Sequence, residues 1–113
     1  MENSILNNNT FLTPEECIKI IELLFKSNLP NFKLKQIYNN GGFYGFGVVI
    51  EKDDIEIMFG GERGAFSHKI IINGKQYSLY NYDLDMKSVY AASRENYIYA
   101  ISILRRFLNE VGY

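Results

Sequence analysis

One imidazole, one thiol and thirteen carboxylates are the side chains here with reactive chemistry to offer. His68 is the only candidate general base. Ser67 precedes it, and Glu62 and Arg63 stand just upstream. A working base needs a nucleophile within hydrogen-bond reach and a group that orients it. Neighbours on a strand point to opposite faces, so Ser67 and His68 make no direct pair. His68 therefore reads as an ordinary strand residue. Cys17 falls in the first turns of a predicted helix, where the helix dipole favours a thiolate. Its place on an apolar stripe beside Glu15 and Glu16 opposes ionisation, so it reads as a structural thiol.

The acids gather in two places. Glu51, Asp53, Asp54 and Glu56 surround one predicted hairpin tip, and Asp83 and Asp85 follow the last predicted strand. No calcium-loop spacing is present, and one His with one Cys cannot build a usual zinc site, so no metal is expected. Turn acids are ordinarily solvated charges. Their alternative use is docking: Tyr80 and Tyr82 stand next to Asp83 and Asp85, and rings beside carboxylates suit a basic protein partner. The glycines build no phosphate loop. The segment 41–47 lacks a closing Gly-Lys-Ser/Thr and does not open a helix, and 60–64 fails likewise. A bulged or tightly covered strand accounts for Gly45 and Gly47. No cofactor is expected.

These residues need elements to hold them. The chain has 113 residues, within the commonest range for one domain. At 47% hydrophobic and 22% charged it has globular composition. Thr13-Pro14-Glu15-Glu16 is a helix start, with Thr13 as cap and Glu16 closing a capping box. Cys17, Ile18, Ile21, Leu24 and Phe25 then recur at helical spacing, and Pro30 ends the run. From Lys33 the period becomes strand-like. Five strands are predicted, over 33–38, 43–51, 55–60, 67–73 and 76–82. Asn39 to Gly42, Lys52-Asp53-Asp54, Gly60 to Gly64 and Asn73-Gly74 supply the turns, Asn-Gly being the strongest hairpin signal. Short links imply an antiparallel meander. Ser93 caps a second helix whose stripe runs through Tyr97, Ala100, Ile101, Leu104, Phe107, Leu108 and Val111, with Gly112 as its stop. A short helical turn around 87–91 is a further expectation. Residues 1–12 read as a loosely attached leader to a single domain over 1–113, with Phe11 and Leu12 docking.

The sheet must bury at least one face, and the two helices are the available cover. The expected fold is thus α+β, a two-layer sandwich with both helices on one face of a five-stranded meander. Alternation assigns Phe46, Val48, Ile50, Ile55, Ile57, Phe59, Ile70, Ile72, Tyr77 and Leu79 to the covered face. The opposite face takes Gly45, Gly47, Val49, Glu51, Glu56, Met58, Lys69, Ile71, Ser78, Tyr80 and Tyr82.

Twelve basic against thirteen acidic residues make a net charge of −1, which disfavours nucleic-acid binding. The N-terminus, Met1-Glu2-Asn3-Ser4, lacks the positive charge of a signal peptide, and the apolar runs are far shorter than the ~20 residues that span a bilayer. One Cys allows no internal disulfide. A cytoplasmic protein that does not bind membranes is expected, as a monomer or weak dimer.

The segments Thr13-Pro14-Glu15-Glu16-Cys17-Ile18-Lys19-Ile20-Ile21 and Ala92-Ser93-Arg94-Glu95-Asn96-Tyr97-Ile98-Tyr99-Ala100-Ile101, with the aromatic-rich meander between them, resemble bacterial immunity proteins. These are the small partners of polymorphic or contact-dependent toxins. The resemblance implies a non-enzymatic inhibitor that binds a cognate toxin domain, a nuclease being one such target. Glu51, Asp53, Asp54, Glu56, Tyr80, Tyr82, Asp83 and Asp85 are then the expected contacts. A secretion chaperone or small assembly subunit is the alternative, and an exposed apolar groove would mark it. A third reading, an unrecognised enzyme, would need polar groups converging around His68, Arg63 or Glu62.

Overall fold

The computed structural model describes residues 12–113. The expected leader, Phe11 included, lies outside them except for Leu12, which is half-buried against the core. Helix α1 spans Pro14–Asn28. Strands β1 Lys33–Asn39, β2 Phe46–Lys52, β3 Ile55–Glu62, β4 Ala65–Ile72 and β5 Lys75–Tyr77 follow. A short helix α2, Leu79–Tyr82, leads into a 3-10 turn, Leu84–Ser88, and helix α3 spans Arg94–Glu110. The sheet is an antiparallel meander in the order β1-β2-β3-β4-β5. The architecture is α+β, with α1 and α3 packed on each other and on the sheet.

Local chemistry starts each helix as its sequence requires. Thr13 Oγ1 accepts the Glu16 N–H at 3.1 Å, and Glu16 Oε1 accepts the Thr13 N–H at 2.8 Å. This closes a capping box over two otherwise unpaired donors. Ser93 caps α3 by accepting the Asn96 N–H. The core between helices and sheet is built from Ile18, Ile21 and Phe25 of α1 and Tyr97, Ala100, Leu104 and Phe107 of α3. They meet Val48, Ile57, Phe59 and Ile70 of the strands. Full burial of one such aliphatic or aromatic side chain contributes about 1.5–3 kcal/mol.

Cross-strand register agrees with the expected faces on four strands. Ile50 pairs with Ile57 and Ile57 with Ile70 on the covered side, while Glu51 pairs with Glu56 and Met58 with Lys69 on the other. Tyr38 lies opposite Gly47, and a Cβ on that glycine would meet the Tyr38 ring at 2.8 Å. A tightly covered strand is thus the reason for Gly47.

Four expectations are corrected. The last strand does not run over 76–82. It ends at Tyr77, because the Leu79 N–H goes to His68 Nε2 and Ser78 caps α2 by accepting the Tyr80 N–H. Tyr80 and Tyr82 therefore leave the open face and belong to a helical turn. The second strand starts at Phe46 and not at 43, since 42–44 form a turn. The helical turn expected at 87–91 lies at Leu84–Ser88, where the Asp83 side chain accepts the Asp85 N–H and caps it. Val111, placed on the buried stripe of α3, is an exposed C-cap residue.

Candidate functional site

The reactive groups singled out in the sequence serve the core. His68 lies on the covered face opposite Phe59, its ring stacked on Phe66 and edge-on to Tyr80. Its Nε2 accepts the Leu79 N–H at 2.9 Å, which places the ring proton on Nδ1. Burial lowers its pKa to about 4. Ser67 faces the opposite side, opposite Gly60. Glu62 and Arg63 lie at the β3–β4 turn, three positions along the ladder from His68, so the trio does not converge. Cys17 is buried, its Sγ donating to the Ala92 carbonyl at 3.8 Å, and burial pushes its pKa up. The Tyr97 hydroxyl donates to the Gly60 carbonyl at 2.9 Å inside the core. Among the described residues no three His, Cys, Asp or Glu side chains group as metal ligands.

The eight expected contact residues do not form one surface. Glu51 and Glu56 pair across β2 and β3 on the open face, and Lys35 from β1 sits between them, 3.9 and 2.6 Å from their carboxylates. Asp53 and Asp54 make the exposed turn at one end of the sheet, with Asp53 at φ +53°. The other four lie on the helix side. The Asp83 carboxylate is held by Arg106 of α3. Tyr82 packs edge-on against Phe107, and the Tyr80 hydroxyl donates to the Val89 carbonyl. Only Asp85 of that group is fully exposed. Glu51 and Glu56 are thus separated from the second set by the thickness of the sheet, and two acids of the first set and one of the second already carry a basic partner.

A different cluster stands at the opposite end of the meander from Asp53 and Asp54. The loop 40–45 carries Phe43 and Tyr44, 57% and 75% exposed, in an edge-to-face pair with centroids 5.0 Å apart. The Arg63 guanidinium lies over the Phe43 ring at 4.3 Å. The loop is pinned: Arg63 donates its N–H to the Gly42 carbonyl, Asn40 to Gly45, and Gly45 to Gly41. Asn39 ties it to α1 by donating to Glu15. Arg63 itself sits at φ +55°, a left-handed conformation that costs a non-glycine L-residue about 1 kcal/mol. Beside the same turn the segment 89–92 is bonded to β4, Phe66 donating to the Tyr90 carbonyl and Ala92 to Gly64. There Tyr90 is 73% exposed. Three exposed aromatics and an arginine are thereby carried on backbone tied by these hydrogen bonds.

Sequence reading missed this cluster by extending the strand-like period over 43–51, which placed Phe43 and Tyr44 in a strand. The signal was present in the spacing of Gly41, Gly42 and Gly45, which brackets a loop, and in Arg63-Gly64, a two-residue turn.

The chain matches no protein-family model, and comparison with curated proteins and with solved structures gave no significant match.

A groove runs along the other flank of α1. It measures about 620 Å³ and lies between α1 and the first two strands, with Phe25, Val48 and Ile50 as its apolar floor. Leu23 and Leu34, 66% and 55% exposed, stand on its two walls.

Proposed function

We propose that this chain is a cytoplasmic protein-binding module of the immunity type. It neutralises a toxin domain by contact, and that contact centres on Phe43, Tyr44, Arg63 and Tyr90. The observation that carries the reading is the pinned aromatic–arginine end. Aromatic residues and arginine dominate the energetics of protein interfaces, and rigid presentation lowers the entropy lost on binding. A folded domain gains nothing by holding three rings in water, one of them under an arginine on a left-handed turn, unless something covers them. Asp53 and Asp54, the exposed acids of the first set, lie at the far end and form at most a second contact.

Growth rescue tests this directly. The C-terminal region of the protein encoded immediately upstream is expressed in a bacterial host with and without this chain. Wild-type chain is expected to relieve growth arrest. The pair Phe43→Ala and Tyr44→Ala is expected to lose rescue and weaken the purified complex by roughly 2 kcal/mol or more. The pair Asp53→Asn and Asp54→Lys is expected to keep rescue; Asn tolerates the positive φ at 53. Loss of rescue by the acid pair alone would move the contact to the other end of the sheet.

The groove favours a second reading, a chaperone or assembly subunit that holds an extended segment of its client. A stable complex with the upstream protein in the absence of any toxicity would select it.

A further inference from the structure

We infer that the groove between α1 and β1 binds an extended peptide segment whose alternate residues are apolar and whose flanks are acidic. The inference rests on the groove reading and not on the aromatic end, so the rescue assay and the experiment below fail separately.

Three observations fix that chemistry. The first is the open edge. β1 pairs with β2 alone, and among the described residues no strand meets its outer side along seven residues. The other edge is different, because β5 has three residues and the segment around Ala91 bridges to Ala65 of β4. An unpaired edge offers a row of N–H and C=O groups to an added strand.

The second is the apolar trough beside that edge. An added strand directs every other side chain to the helix side of the sheet. There Leu23 and Leu34 stand exposed above the floor of Phe25, Val48 and Ile50. A helix partner would not use the free backbone edge, and an all-polar strand would leave the leucines wet.

The third is charge. Lys19 and Lys26 of α1 line the groove, and Lys52 lies over the Phe32 ring at its end, 6.0 Å from the centroid. Among the described residues Glu22 is the only acid on the lining. This positive rim sits on a chain of net charge −1. A second copy is the wrong occupant, since it brings the same Lys19 and Lys26 rim and offers no acidic strand to meet it: β1 itself, Lys33–Asn39, carries two lysines and no acid. The bulge between Leu34 and Gln36 blunts such self-pairing further. An acid-flanked segment meets the same lysines with attraction.

The probe is a fluorescein-labelled synthetic peptide of alternating Leu and Thr with paired Asp at each end. A matched peptide carries paired Lys instead. Anisotropy titrations against the full chain are followed by amide chemical-shift mapping. The Asp-flanked peptide is expected to bind saturably and about tenfold or more tighter than the Lys-flanked one. Shifts should centre on Leu23, Leu34 and the β1 amides. Lys19→Glu with Lys26→Glu should reverse the preference, and Leu23→Asp, at an exposed position that folding does not need, should abolish binding. Equal or absent binding of the two peptides overturns the inference, as do shifts confined to the open sheet face or the aromatic end. Groove signals that move with protein concentration would assign it to a second copy. Displacement of the probe by a peptide copying residues 1–11 would assign it to this chain's own N-terminal segment. Either result also overturns the inference.

Discussion

Gly60 and His68 show how single residues are fixed by their surroundings. A Cβ on Gly60 would lie 2.0 Å from the Phe46 carbonyl oxygen and 2.8 Å from Gly47 Cα. Both are backbone atoms of β2, so no rotamer change relieves the clash. Gly60→Ala is expected to cost more than about 3 kcal/mol, read as a loss of the cooperative thermal transition or a fall of roughly 10 °C or more in its midpoint. Ser67→Ala, at its cross-strand neighbour, should stay within about 0.5 kcal/mol. For His68, burial lowers the folded pKa from 6.5 to about 4, so the unfolded chain binds the proton more readily between those values. The stability this neutral ring brings is complete above pH 6.5 and is lost as pH falls from there to about 4, by about 3 kcal/mol at most. Protonation at Nε2 would also remove the acceptor of the Leu79 N–H. His68→Gln removes the titration while keeping an acceptor. Its thermal midpoint should vary less steeply with pH across that window than the wild type's.

At the scale of elements, the ends carry most of the information. The capping box at Thr13 and Glu16 satisfies donors that α1 would otherwise leave bare. Thr13→Ala is expected to cost about 1 kcal/mol in urea denaturation, with Thr13→Ser close to wild type. The meander depends on its turns in the same way. Asp53, Arg63 and Asn73 each take a positive φ at the start of a hairpin turn. Asn and Asp enter that conformation readily and Arg does not. The β3–β4 turn is therefore the one whose residue choice local stability does not explain, and it is the turn that places Arg63 on Phe43. A hairpin carrying Arg63→Asn should be at least as stable as the wild type and poorer in rescue, which separates strain kept for contact from strain of no consequence.

For the molecule as a whole, among the described residues, the helices sit on one face and leave three uncovered regions: the open sheet face, the aromatic end and the α1–β1 flank. The open face carries its own internal pairing, with Lys35 held between Glu51 and Glu56. The other two present apolar side chains to water without such compensation. They lie at different places on the molecule, so the aromatic pair and the groove variants should act independently. Phe43→Ala with Tyr44→Ala is expected to leave the peptide affinity unchanged, and Lys19→Glu with Lys26→Glu to leave rescue unchanged. Each is checked by running both assays on both variants.

The sequence by itself determined what short-range physics controls. Cap residues placed both long helices, turn residues placed the hairpins, and period-two alternation put Val48, Ile57 and Ile70 on the covered face. Alternation failed where a side chain from another element competes for the backbone. His68, eleven positions away from Leu79, takes its N–H and ends β5, so Tyr80 and Tyr82 turn towards the helices. Charges close in sequence were also assigned to surfaces before their partners were visible. Lys35 reaches Glu56 across β2, and Arg106 reaches Asp83 from α3. Which exposed residues stand together was decided only by the tertiary structure. Phe43 and Arg63 meet because two loops converge at one end of the meander, and Leu23 and Leu34 face one groove because α1 packs alongside β1 and β2. Local propensity acts over a few residues, whereas a surface is assembled from segments that only the packing of the core brings side by side.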